Sequence, residues 1–196
     1  MRRQSRGYTF VELMMALTVL GIGVSGIIAM QKVTVTSNQH AKNLALATHV
    51  AEGWAEQLAV DATRWNFPNS ANAVSNIGNT LWLSAANNSP NQWVLPTYQA
   101  QANFGPAFDA LGNVTQVAAQ TVFCTHIRLS WLYPETTFNG VIRADVRVFW
   151  PREGRGALGP CATVTPATVT AGLANYHFVH HTTALRQNTM PPAMTP

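Results

Sequence analysis

The sequence predicts an α+β chain, a long N-terminal helix followed by an antiparallel sheet, and three observations carry that reading. Residues Tyr8 to Met30 are almost continuously apolar. Small or apolar side chains then recur at helical spacing as far as Leu58, and the last third holds runs that alternate apolar and polar side chains with a period of two. The expected organisation is a basic leader at 1–7, a membrane helix at 8–30, an amphipathic helix at 31–65 and a sheet-bearing head at 66–196.

The apolar segment, YTFVELMMALTVLGIGVSGIIAM, would form a helix of about 35 Å at 1.5 Å per residue, enough to cross a bilayer. Arg2, Arg3 and Arg6 precede it, and only Lys32 and Lys42 follow closely. The positive-inside rule therefore places the N-terminus in the cytoplasm and the rest outside. A secretory signal has a shorter apolar core that ends at a small-x-small cleavage site, and this segment is too long for one. It also carries Glu12, and a carboxylate at membrane depth costs roughly 2.5 kcal/mol or more unless it finds a partner. Gly21, Gly23 and Gly26 lower helix propensity, which fits either close helix packing, Gly21-x-x-x-Ser25 included, or a segment able to unwind.

Arg6-Gly7-Tyr8-Thr9-Phe10-Val11-Glu12-Leu13-Met14 resembles the class III signal of type IV prepilins and pseudopilins. The resemblance implies cleavage by the prepilin peptidase between Gly7 and Tyr8, N-methylation of Tyr8, and an assembly salt bridge from Glu12 to the terminal amine of a neighbouring subunit. Tyr8 stands where Phe is commoner. The two charges suit one another physically: the new amine and Glu12 lie one helical turn apart, at nearly the same bilayer depth, and each is unfavourable alone. The run ELMMALTVLGIGVSGIIAMQ is similar to the PilV-like minor pilins and to the I-type pseudopilin of type II secretion, and it lacks the Pro of many major pilins. The implied fold is the pilin lollipop. The implied partners are other minor pilins, a major pilin, the prepilin peptidase, the inner-membrane assembly platform and a tip adhesin. The implied role is structural, priming a pilus at its tip for motility or adhesion, with a secretion or DNA-uptake pseudopilus as the rival.

After the membrane, positions 40, 44, 47, 51, 54 and 58 form one helical face, so Leu44, Ala47, Ala51, Trp54 and Leu58 are expected to cover a sheet, with His40 a partly buried packing residue on the same stripe. Asp61 to Pro68 is expected to end the helix, because Pro68 disfavours helical geometry at Phe67. Residues 66–120 hold one charged side chain, Asp109, among many Asn, Pro and Gly, and read as a long loop with short ordered pieces. Trp82, Trp93, Tyr98, Phe104 and Phe108 give it apolar area to bury, or else an aromatic platform for sugars. Thr121–Tyr133 reads as a strand with Phe123, Thr125, Ile127, Leu129 and Trp131 facing the core and Val122, Cys124, His126, Arg128 and Ser130 on the other face. Gly140–Trp150 reads as a second strand stopped by Pro151, and Asn175–Leu185 as a third.

Chemistry is sparse. His177 and His181 share a strand face at about 13 Å, too far to share a metal, and His180 faces the other way. No phosphate loop, nucleophile elbow, HExxH or close carboxylate pair occurs, so neither an enzyme nor a cofactor is expected. Of the twelve Lys and Arg, three lie in the leader, and the other nine nearly balance the eight Asp and Glu, which gives no footprint for nucleic acid. Cys124 and Cys161 are either a disulfide or two separate buried thiols. An oxidising compartment favours the bridge, whose loop of about 38 residues would stabilise the head by on the order of 3 to 4 kcal/mol.

Overall fold

The structure, a computed structural model, describes residues 9–65, 76–134, 140–152 and 158–187. It divides into two compact units, Met1–Asn43 and Leu44–Pro196. Helix α1 (Phe10–Ala62) begins in the first and ends in the second.

In the first unit α1 starts at Thr9, whose Oγ1 accepts the backbone N–H of Glu12 at 3.3 Å and so satisfies one of the free donors of the first turn. Every large apolar side chain from Phe10 to Val35 is exposed. Such a surface is unfavourable in water and suits hydrocarbon, and by length and composition the helix is able to cross a membrane. The hydroxyls within this stretch do not remain unsatisfied. Those of Thr18, Ser25, Thr34 and Thr36 donate to the carbonyls of Met15, Ile22, Met30 and Val33 at 2.8 to 3.0 Å, the local bond that lets Ser and Thr sit in an apolar helix.

In the second unit the remainder of α1 packs on an antiparallel sheet, as the helical stripe predicts, with a shift along the chain. Ala47, Ala51, Trp54 and Leu58 are buried, but His40 and Leu44 are exposed, and Val50, Asp61 and Ala62 complete the buried face. The helix closes in tighter i→i−3 bonds, from Thr63 to Val60, Arg64 to Asp61 and Trp65 to Ala62, within the interval from Asp61 to Pro68 where the sequence places its end.

Three long strands, β3 (Phe123–Tyr133), β4 (Val141–Pro151) and β5 (Tyr176–Arg186), form an antiparallel meander. Two short strands, β1 (Trp93–Val94) and β2 (Ala107–Phe108), both pair with the outer edge of β3. Ile127 stands opposite Val146 and Thr125 opposite Val148, so the apolar alternation of one strand meets that of the next on the same side. β4 extends through Pro151, which pairs with Tyr176, one residue past the expected stop. Between α1 and β3, a 3₁₀ turn (Asn76–Asn79), helix α2 (Ala85–Asn88) and the residues between them supply Ile77, Trp82, Leu83 and Ala86 to the core.

The sheet is covered on both faces, where the sequence led us to expect one core face. Phe123, Ile127 and Leu129 meet α1 in the main core. On the other side Cys124 and Phe149 are also fully buried, under Cys161, Val164 and Val169. That cover is the segment containing the 3₁₀ turn Cys161–Thr163 and helix α3 (Pro166–Ala171). Helix α3 starts with Pro at its first position, and Thr165 Oγ1 caps it by accepting the N–H of Thr168 at 3.2 Å. A disulfide between Cys124 and Cys161, with Cα atoms 5.7 Å apart, ties the cover to β3.

Candidate functional site

Glu12 lies in the first turn of α1, exposed among the exposed side chains of Phe10, Val11, Leu13 and Met15, and no described cation pairs with it. A carboxylate in that setting is unfavourable unless it finds a partner. Gly7 and Tyr8, the expected cleavage and methylation positions, lie outside the described residues.

The other polar features belong to the second unit, and the sequence had not marked them. Asp61, at the end of α1, is 2% exposed. Its two carboxylate oxygens accept the backbone N–H groups of Leu81, Trp82 and Leu83 at 2.7, 2.8 and 3.2 Å. These three donors belong to a segment that makes no ladder, so Asp61 supplies acceptors that secondary structure does not.

On the sheet face away from α1, three consecutive rungs carry a cluster of charged side chains. His126 stands opposite Arg147, Arg128 opposite Asp145, and Ser130 opposite Arg143. Asp145 is the hub: Oδ2 accepts from Nε and Nη2 of Arg128 at 3.1 and 2.9 Å, and Oδ1 accepts from Arg143 Nε at 3.0 Å and from the Thr182 hydroxyl at 2.8 Å. Burial alone would raise its pKa, but the hydrogen bonds from Thr182, Arg128 and Arg143 outweigh this and hold the carboxyl below its usual value.

Arg147 is 4% exposed, and no carboxylate pairs with it among the described residues. Its guanidinium lies 4.4 Å from the ring centroid of Trp93, while Arg128 lies 4.8 Å from the same ring and Phe178 is 5.8 Å from Arg147. Both guanidinium groups thus lie within reach of the π-system of one indole. Burial, and then the Arg128 charge, lower Arg147 to about 10, so it stays charged at neutral pH. His126 is fully buried beside it. Its Nε2 is 3.1 Å from Val164 O, an atom that only accepts, so Nε2 carries the proton and Nδ1 accepts from Arg147 Nη2 at 2.9 Å. Burial first and the Arg147 charge second push His126 down to about 4, which keeps it neutral.

Trp82 and Phe108 are buried, and Phe104 stacks edge-on against Trp54 at 4.9 Å, so these aromatics form core and not a sugar platform. His177 stands opposite Trp150 and His181 opposite Val146, on the side of the sheet that faces α1, with His180 on the other. Among the described residues no group of three His, Cys, Asp or Glu side chains is placed to hold a metal. A cavity of about 320 Å³ beside the disulfide is lined by Leu95, Pro96, Tyr98, Pro106 and Pro160 with no charged group.

A helix long and apolar enough to cross a membrane, with an acid in its first turn with which no described cation pairs, continues into a helix packed on an antiparallel sheet. This is an α+β architecture whose apolar helix suggests single-pass membrane anchoring. Residues 2–28 match the prokaryotic N-terminal methylation motif, which supports a type IV pilin-like or pseudopilin protein with a structural role. No curated protein and no solved structure matches the chain.

Proposed function

We propose that this chain is a minor pilin of the PilV-like group. It is inserted once through the inner membrane with its N-terminus in the cytoplasm and its head in the periplasm. The prepilin peptidase removes residues 1–7, Tyr8 becomes the N-methylated terminus, and residues 8–30 then serve as the transmembrane and assembly helix. Glu12 pairs with the terminal amine of a neighbouring subunit as the chain enters the filament, so two charges that are unfavourable alone in hydrocarbon are neutralised together. The chain works with other minor pilins, the major pilin and the assembly platform to prime a pilus near its tip, where a tip adhesin would join it. The observation that carries this reading is the match of residues 2–28 to the methylation motif, with Gly7 before the apolar run and Glu12 within it. The disulfide gives independent support for an oxidising compartment around the head. The same motif fits a minor pseudopilin of type II secretion or of DNA uptake, and neighbouring genes would separate these.

The experiment is mass spectrometry of the chain purified from its native host. The expected N-terminal peptide begins at Tyr8 and carries one added methyl group. A peptide retaining Arg6-Gly7 in a peptidase-competent strain would refute the reading.

A further inference from the structure

The second unit is electrically two-sided. On the sheet face away from α1, Arg128, Arg143 and Arg147 surround the single acid Asp145, which leaves two positive charges in excess within three adjacent rungs. Asp145 engages Nε and Nη2 of Arg128 but only Nε of Arg143. Arg128 Nη1 and both Nη groups of Arg143 thus have no hydrogen-bond partner among the described residues. The two side chains are 36% and 49% exposed, so those donors are within reach of another molecule. Beneath them the buried Arg147 adds a charge that no described carboxylate offsets.

The other side of the unit is the outward face of α1. Glu52 and Glu56 sit there, both exposed, four residues apart and so one above the other. At 100° per residue they lie about half a turn around the helix from Trp54, on the pole opposite the buried stripe. Neither forms an ion pair among the described residues. Two like charges at this spacing weaken a helix slightly and contribute nothing to packing. In a chain of which only 10% is charged, an unpaired acidic pole and a cationic face with free guanidinium donors are complementary surfaces on one body.

We propose that the Arg128–Arg143 face is a docking surface for a second copy of this chain, which presents Glu52 and Glu56 on the outward face of its helix. The contact is heterologous, helix pole against sheet face, so each copy keeps one surface of each kind free for the next. The carboxylates accept from the spare donors of Arg143 and Arg128, whose planar forks match carboxylate geometry. The inference rests on the reading of the chain as an assembling subunit, and it adds the identity and polarity of a contact between heads.

The test places a photo-crosslinking residue at Ala184, which is exposed and paired with Arg143 across the β4–β5 ladder. The full chain is irradiated in native membranes and the adducts are mapped by mass spectrometry. The expected adduct joins two copies through the peptide that contains Glu52 and Glu56. R143E should lower its yield by about tenfold, E56K should do the same, and the two together should restore it. Arg143 is half-exposed, and resistance of each variant to protease checks that the head folds. No adduct, an adduct to a different subunit, an adduct elsewhere on the second copy, or a yield indifferent to R143E overturns the proposal. The N-terminus is measured in the same sample: a chain that is processed at Tyr8 but gives no adduct sinks the docking surface alone, and an unprocessed chain sinks the assembly reading.

Discussion

His126 has to remain neutral, because a proton on Nδ1 would point at the Arg147 guanidinium 2.9 Å away inside a closed layer. An unfolded chain has no such restriction and titrates near the ordinary value of 6.5. The folded pKa of about 4 is thus depressed, so as pH falls below 6.5 the unfolded state takes up the proton first and stability declines. The decline stops near pH 4, where the folded state also protonates. Between pH 7 and pH 5 the full chain in detergent should lose about 2 kcal/mol of unfolding free energy from this group. H126Q, which keeps a neutral polar side chain, should lose less over the same interval. Denaturant titrations at the two pH values decide it, and equal losses in both proteins would show that His126 is not the source. This arrangement was only half legible in the sequence. The strand alternation placed His126 with Cys124 and Arg128 on one face, but nothing in that pattern showed that α3 and its preceding turn close over part of it.

The elements most visible in the sequence are those whose own period determines them. The apolar run of α1, its buried stripe and the three long strands could be read because each repeats its pattern for several turns or residues. Strands β1 and β2 are two residues long and owe their existence to the edge of β3, so no local signal announces them. The segment from 76 to 92 is likewise held from outside, by its buried Ile77, Trp82, Leu83 and Ala86 and by the carboxylate of Asp61. An acid near the end of a helix is ordinarily a solvated residue, and the three backbone donors it meets lie about twenty positions further along the chain. D61A should therefore leave α1 formed, yet strand three N–H groups, two of them buried, and destabilise the head by about 3 kcal/mol or more. D61N retains one carbonyl oxygen and should fall between the two. The denaturant midpoint measures the loss, and limited proteolysis should find new cleavage within 76–92. A D61A protein as stable as wild type would show that water replaces the carboxylate without penalty.

At the scale of the molecule, the polar groups that hold the head together are in the second unit and the group proposed to drive assembly is in the first. Asp61, Asp145 and His126 each have their partners inside the fold, whereas Glu12 has no described cation and sits among side chains that favour hydrocarbon. A substitution at Glu12 should then separate assembly from folding. E12V removes a carboxylate from a membrane-embedded helix, so insertion should be unchanged or slightly favoured. The head should keep its disulfide and its resistance to protease, because the buried contacts that define it begin at Ala47. Incorporation into filaments should fall by on the order of tenfold or more, since the mutant cannot offset the amine of its neighbour. If this subunit primes assembly, the number of filaments per cell should fall with it. Sheared filaments, membrane fractions and protease digests from wild type and E12V make the comparison. Equal incorporation would refute the pairing role, and a degraded or reduced head in the membrane fraction would show instead that Glu12 acts through folding.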